Sequence, residues 1–169
     1  MARRRAAITY FSEILQSEGV RPALRYLNGQ SAHRFTAVFR FEGGTLRNLH
    51  MIDRDDPAVE RCADQPVLES YCIYVRRTAQ TFITADSAND ERVEGHPKQN
   101  VVQSYCGIPL MEEDGTLFGT ICHFDFEPLP FGDDEVMLLE DVAPLLVQAI
   151  RSTEWQPEHP ERRNEPLAA

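Results

Sequence analysis

Alternating apolar and polar positions mark the first predicted strands of the chain. In residues 35–41 every second position is phenylalanine or alanine, and this period of two predicts a β-strand. Gly43 and Gly44 follow, and residues 45–52 form a second apolar segment. The two segments therefore predict a β-hairpin that turns at the glycine pair.

A second hairpin is predicted from residues 101–111 and 116–125. Asp-Gly at positions 114–115 supplies the positive φ angles that a tight turn needs. The pattern leaves the register open. A three-residue loop would set Cys106 opposite Cys122, whereas a two-residue loop would set Cys106 opposite His123.

Three stretches place apolar residues three and four positions apart, which is the spacing of one helix face. Residues 7–27 predict two short helices, or one helix broken near Gly19. Residues 66–79 predict a helix whose apolar stripe points Cys72 inward. Residues 133–151 begin with three acidic side chains, which stabilise the positive N-terminal end of a helix.

Two polar connections separate these elements. Residues 53–65 fit neither the helix nor the strand pattern, and we expect them at the surface. Residues 81–84 predict a short strand, and residues 85–99 then form the longest stretch without a core pattern. The polar side chains of this loop either solvate a surface or form the lid of a pocket.

Composition and charge narrow the class of protein. The 169 residues, 42% of them hydrophobic, predict one globular domain. No apolar run approaches the roughly 18 residues that span a bilayer, so we expect a cytoplasmic protein without a membrane contact. A formal net charge of −10 would repel a phosphate backbone, which argues against a nucleic-acid partner.

The four cysteines are expected to be free thiols, since a cytosolic compartment keeps thiols reduced and a chain of this size needs no disulfide. Cys72 is interpreted as a small buried hydrophobe. A metal site would draw on Cys106, Cys122, His123 and His96. These residues lack the C-x-x-C or H-x-x-x-H spacing of a zinc site, so packing is the favoured interpretation.

Several motifs resemble those of the GAF domain, a small sensory module related to the PAS fold. Gly107-Ile108-Pro109-Leu110 and Gly119-Thr120-Ile121 are similar to that family's fourth and fifth strands, and residues 131–135 are similar to the start of its closing helix. Residues 81–86 with 90–92 are similar to its third strand and the following loop. The resemblance covers residues 5–151, and residues 152–169, rich in Pro, Glu and Arg, are predicted to be a disordered tail.

The resemblance implies an α+β fold with a central antiparallel sheet flanked by helices. It implies a stand-alone sensory protein that binds a small molecule, of unknown identity, in a pocket between the sheet and the loops. The residues proposed to line this pocket are Tyr71, Cys72, Asp86, Arg92, His96, Tyr105, Cys106 and His123. Their hydrogen-bonding groups would orient a small polar or aromatic ligand over an apolar floor.

An alternative within the family is a thiol-dependent enzyme. Free methionine-R-sulfoxide reductase is a stand-alone GAF protein that works through cysteines, and its chemistry needs an attacking thiolate with a resolving thiol within reach. Cys72 and the Gly95-His96 pair resemble parts of that enzyme. However, residues 97–99 read Pro-Lys-Gln where its essential cysteine would follow, so a binding function, with a thiol redox sensor as a variant, is favoured.

Isolated members of the family commonly pair through their terminal helices, and the resemblance therefore implies a homodimer. A second apolar stripe on the last helix, beside its core stripe, would supply the contact surface. The stripe consists of Leu138, Val142, Leu145 and Ala149. A downstream signalling protein is the other expected partner.

Overall fold

In the computed structural model, which describes residues 1–154, four helices flank one curled sheet of six antiparallel strands. The helices are α1 (Ala2–Ser17), α2 (Val20–Gly29), α3 (Cys72–Thr78) and α4 (Asp133–Glu154). The strands are β1 (Phe35–Glu42), β2 (Thr45–Asp53), β3 (Gln65–Pro66), β4 (Phe82–Thr84), β5 (Ser104–Met111) and β6 (Leu117–Asp125). They lie in the order β3-β2-β1-β6-β5-β4, and the expected α+β architecture is confirmed.

The two faces of the sheet carry separate cores. One core joins α1, α2 and α4 to alternate residues of the strands, among them Val38, Ile108 and Ile121. The other core joins α3 and the loop after β4 to the intervening strand residues, among them Phe39 and Cys122. We call the first side the helix face and the second the loop face.

Glycines at positive φ separate the first elements. Gly19, with a φ of 97°, lies between α1 and α2, so the break predicted there is a complete one. Gly43, with a φ of 58°, turns β1 into β2, because a residue without a Cβ adopts this conformation without steric cost. The first hairpin is therefore confirmed.

The helix predicted over residues 66–79 is present only from Cys72 to Thr78, and its predicted first part is wrong. Pro66 pairs with Thr45 at the sheet edge, and the Val67 amide donates to the Gly44 carbonyl. Edge pairing thus draws this segment onto the sheet, and residues 67–69 form a single 3-10 turn before the extended Ser70. Only α3 beyond it is α-helical.

A bulge sets the register of the second hairpin. The Glu112 amide donates to the Thr116 carbonyl, which closes a three-residue loop with Gly115 at positive φ. An irregularity between Leu110 and Met111 then shifts the pairing by one residue. Cys106 consequently lies opposite His123, which is the pairing that the sequence analysis assigned to the shorter loop.

The last helix starts where predicted and continues to Glu154. Leu138 and Val142, which were assigned to a surface stripe, are buried in the helix-face core. Leu145 and Ala149 are only half-buried. None of the helices in the described part of the chain is long and apolar enough to cross a membrane. Residues 155–169 of the predicted tail lie outside the described residues.

Candidate ligand pocket

A cavity of about 340 Å³ lies on the loop face, between the sheet and the connections that cross it. Its wall is mostly aromatic and aliphatic: Phe35, Phe39, Met51, Val102, Phe124 and Phe126. Phe35 and Phe124 stack with ring centroids 4.7 Å apart, because β1 and β6 pair these two residues directly. The sheet therefore supplies a flat apolar floor, as small-molecule sites commonly have.

A few polar groups border this floor. Gln65, Ser70, Tyr71, Lys98 and Tyr105 all line the cavity. Lys98 comes from the loop after β4 and forms no ion pair with any residue of the described chain. Among the described residues it therefore adds a positive charge without an ionic partner to the polar border of a mostly apolar site.

The other cation near the cavity is already paired. Arg34 stacks over Phe35 at 4.7 Å, and its guanidinium donates to both oxygens of Asp53 at 2.7 and 2.9 Å. This hydrogen bond to Asp53 raises the pKa of Arg34. Its charge is thus satisfied within the protein, whereas Lys98 lines the cavity without an ionic partner among residues 1–154.

Thiols form part of the floor and the layer beneath it. Cys62 and Cys122 line the cavity, and the fully buried Cys72 lies behind them. The Tyr105 hydroxyl donates to the Cys72 sulfur at 3.2 Å, and the Thr120 hydroxyl lies 3.2 Å from the same sulfur. Tyr105 therefore joins the cavity wall to a buried thiol.

The environment of Cys72 favours its thiolate. Burial raises the pKa of this thiol, but hydrogen bonds from Cys122, Ser70, Thr120 and Tyr105 outweigh burial and lower the pKa to about 7. Burial, together with Cys72, raises the pKa of Cys122 well above its ordinary value. Cys72 is thus the more reactive of two adjacent sulfurs.

The predicted loop residues mainly hold the loop in place. The Arg92 guanidinium donates to Asp90 at 3.0 and 2.6 Å and to the Ile83 carbonyl at 2.6 Å, so it fastens the loop to β4. Asp86 accepts from the Asn89 side chain at 2.7 Å. Neither Asp86 nor Arg92 lines the cavity.

His96 packs behind the cavity wall. Its ring lies 4.7 Å from that of Tyr71, and its Nδ1 accepts from the Lys98 amide at 3.0 Å. Burial lowers the pKa of His96, so the ring is neutral near pH 7. His96 therefore positions Tyr71 and the Lys98 backbone instead of meeting a ligand in the cavity.

Cys106 and His123 lie on the helix face, away from the cavity. The Thr36 hydroxyl lies 2.7 Å from His123 Nδ1 and accepts from Asn28 at 3.0 Å. Burial lowers the pKa of His123 to about 4 and raises the pKa of Cys106 well above its ordinary value. Since alternation puts Cys106 and Cys122 on opposite faces, the residues weighed for a metal are not brought together.

Of the eight proposed lining residues, Tyr71 and Tyr105 border the cavity, Cys72 and His96 lie behind it, and the other four lie elsewhere. Sequence reasoning missed Cys62, Lys98 and most of the phenylalanines. Alternation in β1 and β6 could have placed Phe39 and Cys122 on one face. Cys62 and Lys98 lie in irregular connections, which give no periodic signal.

Comparisons with known proteins agree on the family. The GAF domain model matches residues 12–150. A cyclic di-GMP phosphodiesterase of Pseudomonas aeruginosa is 31% identical over 100 residues, which cover 53% of this chain and 16% of that protein. The chain therefore spans less than a fifth of that relative's length.

Two solved structures share the fold. The GAF domain of an Acinetobacter phosphoenolpyruvate-protein phosphotransferase has a TM-score of 0.74 at 10% identity, covering 91% of this chain and 96% of that one. Free methionine-R-sulfoxide reductase from Neisseria meningitidis has a TM-score of 0.71 at 12% identity, covering 90% and 91%. Such low identities speak for the fold alone. With the family model spanning most of its length, this chain belongs to the GAF domain family, a small-molecule-binding sensory fold.

Proposed function

We propose that this domain senses a small ring-bearing molecule with one anionic group. The observation that carries the proposal is the position of Lys98, which has no ionic partner within residues 1–154, beside a floor of stacked phenylalanines. An aromatic ring fits the stacking geometry of Phe35 and Phe124, and a carboxylate or phosphate fits Lys98. The cavity is at the small end of the range of about 300–1,000 Å³ usual for ligand sites, which favours a compact ligand.

A matched pair of probes tests the ligand class. Naphthalene-2-carboxylate and naphthalene-2-carboxamide differ in charge but share one ring system. Isothermal calorimetry should show that the carboxylate binds more tightly to the unmodified protein, and that Lys98→Met removes this preference. Arg47→Ala is the matched control, because Arg47 is a cation on the first hairpin and lies outside the cavity. Equal binding of the two probes, or binding of neither, would contradict the proposal.

An unbiased search complements the probes. Native mass spectrometry of the protein purified from cell extract should retain a small anionic molecule, and Lys98→Met should lose it. His96→Ala should weaken its binding less than Lys98→Met does, since the His96 ring lies behind the wall. A retained molecule that is cationic would speak against the assigned role of Lys98.

The second candidate function is a thiol-dependent reductase of free methionine sulfoxide. The lowered pKa of Cys72 supports it, whereas the loop that would carry the essential cysteine contributes Lys98 to the cavity instead. Thioredoxin-dependent turnover of free methionine sulfoxide, abolished by Cys72→Ser and retained in Cys106→Ser, would establish this activity. No turnover by the unmodified protein excludes it for that substrate.

A further inference from the structure

Cys72 and Cys122 come from elements far apart in sequence and meet beneath the cavity floor. Cys72 is the first residue of α3, and Cys122 lies near the end of β6. The Thr120 hydroxyl, 3.2 Å from the Cys72 sulfur, projects from the same face of β6 as Cys122 because the two are separated by one residue. Both cysteines belong to the loop-face core and have no exposed surface.

The two thiols differ in their surroundings. The Cys72 sulfur receives the Tyr105 hydroxyl at 3.2 Å, whereas Cys122 has a single proton, which it donates either to Cys72 or to the Ala37 carbonyl 3.8 Å away. Donors that converge on one sulfur stabilise its thiolate, and a neighbouring acceptor keeps the other sulfur protonated. Burial and the neighbouring Cys72 raise the pKa of Tyr105 well above its ordinary value, so its hydroxyl stays a donor.

The cavity brings a small oxidant close to this pair. Cys122 and Tyr105 both line it, whereas Cys72 lies behind them with no exposed surface, so a molecule the size of hydrogen peroxide reaches Cys72 when one of these two side chains moves aside. We propose that Cys72 and Cys122 form a reversible disulfide when a peroxide enters the cavity. The site would thus make the domain responsive to peroxide while the cavity is free of the ligand proposed above.

The reaction proceeds in two balanced steps. The Cys72 thiolate attacks one peroxide oxygen, the O–O bond breaks, and hydroxide leaves and takes a proton to become water. Cys72 is then a sulfenic acid. The Cys122 sulfur attacks the Cys72 sulfur, the S–O bond breaks, and the hydroxyl leaves with the Cys122 proton as a second water. The two thiols together lose two electrons, and the peroxide gains them.

Cys62 is the alternative partner for a disulfide with Cys72, since Cys62 lines the cavity as Cys122 does. Burial raises the pKa of Cys62, and no hydrogen bond within residues 1–154 links its sulfur to the donors around Cys72. Cys106 is a matched control on the other face, where it packs into the helix-face core. A disulfide between Cys72 and Cys122 is therefore distinguishable by position from any other cysteine pairing.

The test is oxidation of the full chain with hydrogen peroxide, followed by mass spectrometry without reduction. We expect the loss of two hydrogen masses, reversed by dithiothreitol, and a peptide map that joins Cys72 to Cys122. Cys106→Ser should behave like the unmodified protein. Cys122→Ser should instead trap a sulfenic acid on Cys72 that reacts with dimedone.

Tyr105→Phe provides a kinetic test, because its effect on rate is expected only if Cys72 and Cys122 react and not if they merely pack together. Loss of the hydroxyl donor should raise the pH midpoint of Cys72 alkylation by iodoacetamide and slow disulfide formation at pH 7 several-fold. A disulfide to Cys62, or unchanged thiols after treatment with millimolar peroxide, would overturn the proposal. The peptide map of the unmodified protein keeps the test decisive if a variant fails to fold.

Discussion

The packing of the central strands leaves no room for a side chain at Gly119. A Cβ built at this position would overlap the Phe39 carbonyl oxygen and contact the backbone of Arg40, where β1 pairs with β6. Because the obstacle is backbone, it cannot rotate away. Close approach of two central strands therefore depends on this glycine.

Gly119→Ala should lower the free energy of unfolding by about 1–3 kcal/mol or more, which is the usual cost of overpacking. Gly44→Ala is the control, since a Cβ there meets no atom within 4 Å and its φ is not positive, and it should change stability by less than about 1 kcal/mol. Urea unfolding followed by circular dichroism measures both. Equal midpoints for the two variants would contradict the close approach of β1 and β6 at Gly119.

His123 makes stability depend on pH. Its pKa is lowered by burial to about 4 in the folded protein, against about 6.5 in an unfolded chain. Between these values the unfolded state binds more protons, so stability falls as the pH falls. Burial alone would raise the pKa of Glu135, but hydrogen bonds from His33 and Ser31 outweigh it and lower that pKa, so Glu135 stays ionised in this range.

The free energy of unfolding should drop by on the order of 2 kcal/mol between pH 6.5 and pH 4.5 on account of His123. His123→Gln should flatten this dependence, although His50 and His96 keep a smaller slope because burial lowers their pKa values too. Urea titrations at the two pH values measure the slope. An identical slope in His123→Gln would show that the imidazole is already protonated or exposed.

At the scale of elements, the loop over the cavity is fastened by short-range hydrogen bonds. The Ser87 hydroxyl donates at 2.6 Å to the Gln99 carbonyl, and the Gln99 side chain returns a bond to the Ser87 carbonyl at 3.2 Å. Arg92 ties the same loop to β4 through Ile83. The loop is therefore held as a unit that can loosen without unfolding the sheet.

Arg92→Ala should speed amide hydrogen exchange of residues 87–103 a few-fold. It should lower global stability by no more than about 1 kcal/mol, since an exposed ion pair contributes little. Arg47→Ala is the control, because Arg47 forms an exposed ion pair with Glu42 on the first hairpin. Exchange monitored by mass spectrometry separates the two. Unchanged protection of the loop in Arg92→Ala would remove Arg92 from this role.

The elements that were predictable are those with local causes. Asp-Gly at 114–115, the glycine pair at 43–44 and the acidic start of α4 each fix a turn or a helix end with residues close in sequence. Residues 66–69 depend instead on pairing with β2, and the bulge beside Met111 depends on how two strands accommodate Phe118. Such long-range causes leave no periodic trace in the sequence.

The site was less predictable than the fold for the same reason. Tyr71 and Tyr105 were found because they stand in regular, recognisable stretches. The face that each strand residue occupies depends on the register, and it separates Cys106 from Cys122. Lys98 reaches the cavity only because the loop folds back, with the amides of Val101 and Val102 both donating to the Lys98 carbonyl.

At the scale of the whole molecule, the homodimer stays a prediction, and the apolar surface of α4 available for it is smaller than expected. Leu138 and Val142 serve the core, so the contact would centre on Leu145 and Ala149. These border a groove between α4 and the α1–α2 junction, which also contains Leu15 and Val20. We expect a homodimer that forms through this groove.

Light scattering at micromolar concentration should give twice the mass of one chain, and Leu145→Glu should give a monomer. Leu68→Glu is the matched control, because Leu68 is 65% exposed on the other side of the sheet. A single-chain mass for the unmodified protein, or a dimer that survives Leu145→Glu, would contradict this interface.

The opposite orientations of Cys122 and His123 have a consequence for how the domain can communicate. These neighbours share one peptide bond, yet one borders the cavity and the other contacts Thr36, which holds Asn28 of α2. The cavity on the loop face and the helices on the helix face are thus separated only by the thickness of the sheet. If the cavity binds the proposed ligand, a ligand that displaces Cys122 would also move the peptide plane that Cys122 shares with His123, and occupancy would reach the helix face through one peptide bond.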